Sequence, residues 1–408
     1  MEIAVIGSGP SGFFVAAELL KRIPGASVHM YEKRMAPYGL VRHGVAPDHQ
    51  LTRRVTKMFD QIAGDARFHF HGNVHVGNDV AVESIEAAHH AVVVCTGAEI
   101  PNRPDIPGAE LPGVVDALAL ARWANGEPDT FDPGLLDHVS SVLIVGNGNV
   151  AIDSARLFAR PSTDWVATDI SPHAMEALMH HRAKRIVIAG RRGPSDASFT
   201  EAELTELVSL PDWDVESDAP LPFGLVSSKP ASNRKIQFLF HANPIQVSGI
   251  SSARGIRFKY ADGYQKDVPA ELVVFATGHR GEGFGDWPWD EKTGLINNEK
   301  GRVSANSGRY VCGWIKRGAK GLIGQNRKDA IETVACILED HERLIAKAVD
   351  ATALKVKLAS LNKRVVSWSD WRTIDLVETQ KGSAIGRPRI TLSASEALAL
   401  LDGVNASD

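Results

Sequence analysis

The chain opens with an apolar run, a glycine-rich turn and a second apolar stretch, which together span residues 2–22 as "EIAVIGSGPSGFFVAAELLKR". The β-branched residues of the first run predict a short buried strand, and the stretch after the turn predicts a helix. A further apolar run, "SVHMYEK", follows at once. This succession predicts a βαβ unit within a parallel sheet.

The same succession restarts near residue 140, with "SSVLIVGNGNVAIDSARLFAR" and then "AKRIVIAGRRGP". Each half also contains an apolar strand that ends on Thr-Gly, in "VVVCTGA" and in "VVFATGH". Between the halves, "PNRPDIPGAELPG" is rich in proline and glycine and indicates a connection. The pattern predicts an α/β protein with two Rossmann-like dinucleotide-binding domains.

Local sequence signals predict two helix starts and one loop outside these repeated units. Asp48 has the position of an N-cap for a helix over residues 49–63. Thr200, with Glu203 three residues later, has the spacing of a capping box. The prolines and serines of residues 214–234 predict a surface loop.

Composition excludes several classes of protein. With 44% hydrophobic and 23% charged residues, the chain can build ordinary globular cores. Its net charge of −4 does not favour a nucleic-acid-binding surface, and we find no apolar run of membrane-spanning length. We also find no leader segment, so the expected location is cytoplasmic. The oligomeric state cannot be read from these features.

The three cysteines, Cys95, Cys312 and Cys336, are far apart in the sequence and form no C-x-x-C pair. This spacing argues against a redox disulfide and against an iron–sulfur or zinc site built from cysteines. Buried structural thiols in a reducing compartment are the favoured interpretation. We predict no metal site.

The first glycine turn has the pattern Gly7-x-Gly9-x-x-Gly12 between a strand and a helix. Such glycines allow a tight turn and a close approach of a pyrophosphate to the helix N-terminus. Glu32 ends the next strand, where an acid accepts a ribose hydroxyl. The alternative is that Glu32 is an ordinary surface residue.

The second turn, Gly146-x-Gly148-x-x-Ala151, fits the same template, but Arg191 and Arg192 end its next strand. Guanidinium groups bind a 2′-phosphate that an acid would repel, so this site favours NADP over NAD. The alternative is a solvated turn. Two dinucleotide sites without a redox cysteine pair are most simply explained by a flavoprotein with FAD in the first site and NADPH in the second.

Longer segments carry a family resemblance. The specific ones are "YGLVRHGVAPDH" and "GWIKRGAKGLIGQNRKDA", which are joined by "GNGNVAIDSAR", "AGRRGPSDASFT" and "GRPRITL". Together they resemble the adrenodoxin-reductase-like ferredoxin–NADP reductases from residue 4 to about residue 392. The resemblance implies a discontinuous FAD domain, residues 1–102 and 279–408, with an NADP domain inserted at residues 103–278.

The resemblance also implies the site residues. The implied FAD contacts extend the first turn to Gly9, Pro10, Ser11, Glu32, Gly39, Leu40, Val74, His75, Trp314, Gly321, Leu322 and Ile323. The implied NADP contacts are Gly148, Asn149, Val150, Arg191, Arg192, Glu203 and the shared Gly321. Trp314 would pack beside the flavin ring, or alternatively belong to an ordinary core. A helix that starts near Gln325–Arg327 would stabilise the reduced flavin.

By the same resemblance, His49 and Glu206 are the catalytic pair near the nicotinamide, where they would orient it and carry protons. The alternative is that His49 only stabilises its helix. Arg53, Arg54 and Lys57 form a candidate docking face for an acidic ferredoxin, although a plain solvated face is the favoured explanation. Lys184–Arg185 and Lys316–Arg317 are rival patches.

The expected activity is that of an NADPH-dependent FAD flavoenzyme, a ferredoxin–NADP(+) reductase. A hydride would pass from NADPH to the flavin N5, and single electrons would then pass to a ferredoxin. Two alternatives stay open. One is a flavin-dependent monooxygenase or small-molecule reductase, and the other is a non-catalytic FAD/NADP redox-sensing module.

Overall fold

The computed structural model describes residues 1–225 and 232–405. The strands are β1 Glu2–Ile6, β2 Ser27–Glu32, β3 Phe68–Gly72, β4 Ala91–Val94, β5 Ile100–Pro101, β6 Val114–Asp116, β7 Ser141–Val145, β8 Arg185–Ala189, β9 Asp214–Ser217, β10 Lys235–Leu239, β11 Asn243–Gly249, β12 Ala253–Lys259, β13 Gln265–Pro269, β14 Leu272–Phe275, β15 His279–Arg280, β16 Trp289–Asp290, β17 Leu295–Ile296 and β18 Arg309–Val311. The α-helices are α1 Pro10–Arg22, α2 Leu40–His43, α3 Gln50–Arg53, α4 Thr56–Ala63, α5 Val82–Ala88, α6 Ala117–Ala124, α7 Asn149–Ala159, α8 Pro172–His180, α9 Glu201–Val208, α10 Trp314–Arg317, α11 Ile323–Glu339, α12 His341–Ile345, α13 Ala351–Ala359, α14 Trp368–Ser383 and α15 Ala394–Asn405.

The first sheet is parallel and has the strand order β18-β4-β1-β2-β3. Its central strands β1 and β4 are apolar runs because both faces of the sheet are covered. Helices α1 and α11 pack together on one face, in the same core as Phe13, Phe59 and Trp371. The C-terminal strand β18 lies beside β4, so residues from both ends of the chain build this sheet.

The second sheet repeats this plan with six parallel strands in the order β6-β14-β7-β8-β10-β9. One core contains α7, α9 and the buried Trp123, Trp165 and Trp213. The antiparallel sheet β11-β12-β13 covers the other face. The two parallel sheets confirm the predicted α/β fold with two Rossmann-like units.

Two short strands mark where the chain passes between the sheets. In this antiparallel ribbon His279 of β15 pairs with Pro101 of β5, and Arg280 pairs with Ile100. The predicted boundaries at 102/103 and 278/279 fall beside this ribbon. The division into domains over residues 1–102, 103–278 and 279–408 stays a prediction.

Two local predictions are wrong. The helix over residues 49–63 is divided into α3 and α4, and the N-cap of α3 is His49 rather than Asp48. The expected loop over residues 214–234 begins as the edge strand β9, because Asp214–Ser217 pair with β10. Residues 226–231 of that prediction lie outside the described residues.

The structure also shows where the three cysteines lie and whether the described helices could cross a membrane. Cys95 and Cys312 directly follow the paired strand ends Val94 and Val311, so the fold makes two distant cysteines neighbours. Both are free and buried, as is Cys336. Within residues 1–225 and 232–405, no helix is both long and apolar enough to cross a membrane.

The strand β3 alternates aromatic and imidazole side chains. Phe68 and Phe70 enter the core that contains α1, whereas His69 and His71 lie on the opposite face of the sheet. There they meet His29 of β2 and His89, which follows α5. We call these four residues, His29, His69, His71 and His89, the histidine cluster. Burial lowers the pKa of His71 to about 3 and that of His89 to about 4.

These lowered pKa values predict that the protein loses stability in acid. Below pH 6.5 the unfolded chain binds protons that the folded imidazoles reject, so the free energy of unfolding falls as the pH falls. For His71 alone the loss at pH 5 is about 2 kcal/mol, and it grows toward pH 3. Urea unfolding at pH 7 and pH 5 is expected to show a smaller acid loss in His71→Phe than in the unmodified protein. The exposed His138→Ala variant is the control, and equal acid losses in all three proteins would contradict the assignment.

Candidate active site

The first glycine turn lies between β1 and α1. Gly7 has a φ of 101°, which favours glycine, and a Cβ there would lie 2.7 Å from the Cys95 carbonyl oxygen. A Cβ at Gly12 would collide with the Gly7 carbonyl oxygen. The helix therefore starts close to the sheet, with Gly9 as N-cap and Pro10 and Ser11 in its first turn.

Glu32 is buried beside this turn rather than exposed on the surface. Its carboxylate accepts hydrogen bonds from the Ser8 backbone N–H at 3.0 Å and from the Ser8 hydroxyl at 2.7 Å. Gly39 approaches the turn from another side, since a Cβ there would lie 2.9 Å from the Gly9 Cα. Leu40 begins the short helix α2 directly after this contact.

Two further predicted contacts, Val74 and His75, lie after β3 and differ in their surroundings. Val74 is buried, and its backbone N–H donates to the Glu32 carbonyl oxygen at 2.8 Å. His75 is exposed, and its backbone N–H donates to Asp79 at 2.7 Å. Both backbone donors are already engaged, and the His75 carbonyl accepts from the backbone N–H groups of Asn78 and Asp79 at 3.1 and 2.8 Å, so the exposed side chain of His75 is the part of that residue left for a ligand.

Residues 313–323, far along the chain, lie beside the first glycine turn. A Cβ at Gly313 would lie 2.6 Å from the Ser11 Cβ, so Trp314, which begins α10, lies next to α1. The Trp314 indole Nε1 is buried and has no hydrogen-bond partner among the described residues. Gly321 has a φ of 83°, Leu322 is the N-cap of α11, and Ile323 is its first residue. This helix therefore begins two residues earlier than predicted.

The second turn has the same form between β7 and α7. A Cβ at Gly146 would collide with the Ala276 carbonyl oxygen, and Gly148 is the N-cap of α7. Asn149 accepts a hydrogen bond from the Thr200 backbone N–H at 2.8 Å, and Val150 is half-exposed. Arg191 and Arg192 follow β8, and both side chains are exposed.

The helices that begin at these turns share one property. Within the described part of the chain, no side chain caps α1, α7 or α11, whereas Thr200 caps α9 and Ser367 caps α14. Uncapped N-terminal amides that follow a glycine turn form an anion-binding site. The arrangement thus suits two phosphate-containing ligands, one at each sheet.

The structure brings the predicted catalytic pair together. Ligand atoms of His49, Glu203 and Glu206 all lie within 4.8 Å of one another. The His49 Nε2 lies 3.6 Å from the Glu203 carboxylate and 3.7 Å from that of Asp153. His49 comes from the first sheet's part of the chain and the acids from the second, so the group lies where the two parts meet.

Sequence reasoning missed the residue at the centre of this group, Arg156. Its side chain is fully buried, and its guanidinium donates to Asp48, Asp153 and Glu203, each at 2.7 Å. It also contacts the His49 ring. The signal was available, because an arginine on the apolar helix α7, three residues after Asp153, is unusual unless it has partners.

The positive charge of Arg156 affects the pKa values of the carboxyl groups around it. Burial opposes ionisation of Asp48, but the hydrogen bonds and charge of Arg156 hold the pKa of that carboxyl below its usual value. Burial raises the pKa of Asp153 to about 6, against the opposing charges of Arg156 and His49. Asp153 can therefore hold a proton beside His49 near neutral pH.

These contacts also explain why Asp48 is not an N-cap. Its carboxylate accepts from Arg156 at 2.7 Å and from Arg160 at 2.6 Å, and Arg160 in turn donates to Glu206 at 2.7 Å. Thr200 caps α9 as predicted, through the Glu203 backbone N–H. The Glu203 side chain, however, turns to Arg156 instead of completing a capping box.

The predicted docking face on residues 53–57 does not form as expected. Arg53 is directed inward, where it donates to the carbonyl oxygens of Arg42 and Val45 and lies 3.3 Å from Asp169. Arg54 stays exposed. In the rival patch Lys316–Arg317, Lys316 pairs with Glu332 and Arg317 pairs with Asp329, so both charges of that patch are neutralised locally.

Comparisons with known proteins agree with this architecture. Residues 1–192 match the model of the pyridine nucleotide-disulphide oxidoreductase family. The chain is 37% identical to a probable ferredoxin/ferredoxin–NADP reductase of Mycobacterium tuberculosis, over 95% of this chain and 73% of that protein. It is 35% identical to the mitochondrial NADPH:adrenodoxin oxidoreductase of Mus musculus, over 95% of this chain and 89% of that protein.

A solved structure extends the similarity to the whole fold. M. tuberculosis FprA in complex with NADPH superposes with a TM-score of 0.90 at 33% identity, over 98% of each chain. The protein is therefore a flavin-dependent oxidoreductase. The chain belongs to the adrenodoxin-reductase and FprA-like family of ferredoxin–NADP reductases.

The position of Arg156 predicts a large loss of stability when it is removed. Arg156→Ala leaves the carboxylates of Asp48 and Glu203 without their main cation, which is expected to lower the free energy of unfolding by about 3–5 kcal/mol. The measurement is urea unfolding at pH 7.5. Arg54→Ala, which removes an exposed arginine, is the control and should change stability by less than about 0.5 kcal/mol. Similar small effects in both variants would show that the network does not stabilise the fold.

Proposed function

We propose that the protein is an NADPH-dependent ferredoxin reductase that holds FAD at the first glycine turn and NADPH at the second. The observation that carries this assignment is the pair of uncapped helices α1 and α7, with Glu32 beside the first turn and two arginines beside the second. When bound, the flavin accepts a hydride from the nicotinamide and releases electrons singly to an iron–sulfur acceptor.

The residues around the first turn fit FAD. The N-terminus of α1, with Gly7, Gly9, Pro10, Ser11 and Gly12, receives the pyrophosphate. Glu32 accepts a ribose hydroxyl, which replaces or shares its contact with Ser8.

The outer part of the flavin site comes from three other segments. Gly39 and Leu40, which approach Gly9, and Val74 and His75, which follow β3 beside Glu32, would add contacts to the bound cofactor. Trp314 supplies an unpartnered indole N–H near the ring system, and Gly321, Leu322 and Ile323 direct the uncapped N-terminus of α11 toward it.

The residues around the second turn fit NADP. Gly148, Asn149 and Val150 form the first turn of α7, which receives the pyrophosphate. Arg191 and Arg192 are exposed and positioned for a 2′-phosphate. Glu203 and Gly321 border the nicotinamide end, where Glu203 also orients Arg156.

His49 and Glu206 act beside the nicotinamide in this proposal. His49 is held from one side by Arg156 and lies 3.7 Å from Asp153, so its ring orientation is fixed and a proton donor is near. Glu206 is oriented by Arg160. The pair positions the nicotinamide and exchanges protons with solvent, which accelerates hydride transfer without a covalent step.

The electron acceptor is an acidic ferredoxin, and the site of action is the cytoplasm. Relatives named as ferredoxin reductases support this partner. Because Arg53 is directed inward and the charges of the Lys316–Arg317 patch are neutralised, docking is assigned to the remaining candidates, which are Arg54 and Lys57 of the original face and the Lys184–Arg185 patch.

Cytochrome c reduction by NADPH, with and without an added ferredoxin, tests the proposal. The purified protein is expected to be yellow with bound FAD and without bound NADP, and ferredoxin is expected to increase the rate strongly. Good flavin loading without ferredoxin dependence would contradict the proposal. Rapid NADPH oxidation by oxygen or a small organic substrate would then indicate a monooxygenase or reductase, and no turnover would indicate a redox-sensing module.

Replacing both Arg191 and Arg192 by glutamine is predicted to weaken NADPH and spare NADH. A hydrogen bond to a charged group contributes about 1.5–3 kcal/mol, which corresponds to roughly ten- to a hundredfold in affinity. Exposure of both arginines favours the lower end. The measurement is kcat/KM for both nucleotides at fixed salt, with the exposed Arg54→Gln as control. An equal loss with NADPH and NADH would assign the arginines a structural role.

A further inference from the structure

Two ring nitrogens of the histidine cluster face each other across neighbouring strands. The Nδ1 of His29 lies 3.2 Å from the Nε2 of His71. On its other side, the His29 Nε2 lies 2.7 Å from the Glu2 carboxylate. A carboxylate only accepts hydrogen bonds, so the proton of neutral His29 is on Nε2 and a lone pair is on Nδ1.

We propose that His29, His71 and His69 form a binding site for one divalent transition-metal ion of the zinc, nickel or copper type. These ions accept imidazole nitrogen ligands. In a tetrahedral zinc site with metal–nitrogen bonds of about 2.0–2.1 Å, neighbouring ligand nitrogens are about 3.3 Å apart. The His29 and His71 nitrogens already have this spacing. On binding, neutral His71 changes tautomer: its one proton leaves Nε2, which becomes the ligand, and a proton from solvent is taken up on Nδ1, so the ring stays neutral.

His69 provides the third ligand. It lies two residues before His71 on the same face of β3, and it is paired in register with His29. Its ring stacks on that of His29 with centroids 4.7 Å apart, and the residue is exposed. As placed, the ligand atoms of the three histidines do not converge, so binding requires the exposed His69 ring to leave its stacked position and turn toward the ion, which enters from solvent. A water molecule completes the tetrahedron.

The surroundings of the two inner ligands suit a metal ion. Ligating histidines commonly donate their second ring N–H to a carboxylate, which fixes the ring and increases its basicity. The Glu2 carboxylate accepts this hydrogen bond from His29. The ring of His71 is held by Tyr31, which stacks on it at 4.7 Å with an interplanar angle of 13°.

The low pKa values of the buried histidines favour metal binding, whereas the nearby cations oppose it. Burial lowers the pKa of both His29 and His71, so neutral imidazoles are available without competition from protons at pH 7. The cations that face the cluster are the N-terminal amine, Lys347 and Lys355. Lys347 is held by the carbonyl oxygens of Glu86 and His89, at 2.6 and 2.8 Å, and Lys355 is exposed. The ionised Glu2 partly offsets them, and His89 and His90 add no charge near neutral pH.

A second group of potential ligands must be distinguished from this site. His49, Glu203 and Glu206 bring three ligand atoms within 4.8 Å of one another, a spacing that the histidine cluster reaches only after His69 turns toward the ion. The guanidinium of Arg156 lies among them, however, and already supplies a positive charge. A metal ion is therefore expected at the histidine cluster rather than at the active site.

Isothermal titration of the full-length, FAD-loaded protein with Zn²⁺ alone tests the proposal, after treatment with a chelator and its removal, at pH 7.5. We expect one ion per chain in the unmodified protein and none in His71→Phe, which keeps an aromatic ring against Tyr31. His69→Ala, at an exposed position that does not endanger folding, is expected to weaken binding at least tenfold, as for other losses at metal sites.

Two control variants make the result specific. His138→Ala, an exposed histidine of the other sheet's unit, and His49→Gln, in the second group of ligands, are both expected to bind Zn²⁺ as the unmodified protein does. Flavin content and urea unfolding establish that each variant is folded. Absence of binding in the unmodified protein, unchanged binding in both His71→Phe and His69→Ala, or loss of binding in His49→Gln would each overturn the proposal.

Discussion

The buried guanidinium of Arg156 is the contact on which the arrangement of the active site depends. It joins Asp48 and His49, which precede α3, to Asp153 on α7 and Glu203 on α9. A cation in this position is stable only because several carboxylates surround it, and those carboxylates are tolerable only because the cation is there. Arg160 repeats the link between Asp48 and Glu206 at the edge of the group.

Much of the fold could be predicted because its signals are local. Each glycine turn shows, within about ten residues, a β-rich run, the glycines and an apolar helix, and the structure has β1–α1 and β7–α7 at those places. Which residues contact the cofactors stays a prediction of the family segments. Ligand atoms of His49 and Glu206 lie within 4.8 Å of each other, and their catalytic role stays a prediction.

The wrong predictions involve partners distant in sequence. Asp48 has the local signal of an N-cap, but Arg156, 108 residues later, binds its carboxylate instead. Arg53 has the spacing of a surface cation, yet it donates to Asn125 and to backbone carbonyls within the fold. Cys95 and Cys312 are free buried thiols as predicted, but they become neighbours only because β18 pairs with β4. Periodicity and spacing carry no information about such pairs.

The ribbon β5–β15 also restricts how the two sheets can move. Because Pro101 pairs with His279 and Ile100 with Arg280, the outgoing and returning segments are tied to each other at one place. The hydrogen bonds that Arg156 and Arg160 donate to Asp48 join the same two parts at another place, as does the bond from Arg53 to Asn125. Separation of these parts would take Arg156 and Arg160 away from Asp48 and would therefore raise the pKa of its carboxyl.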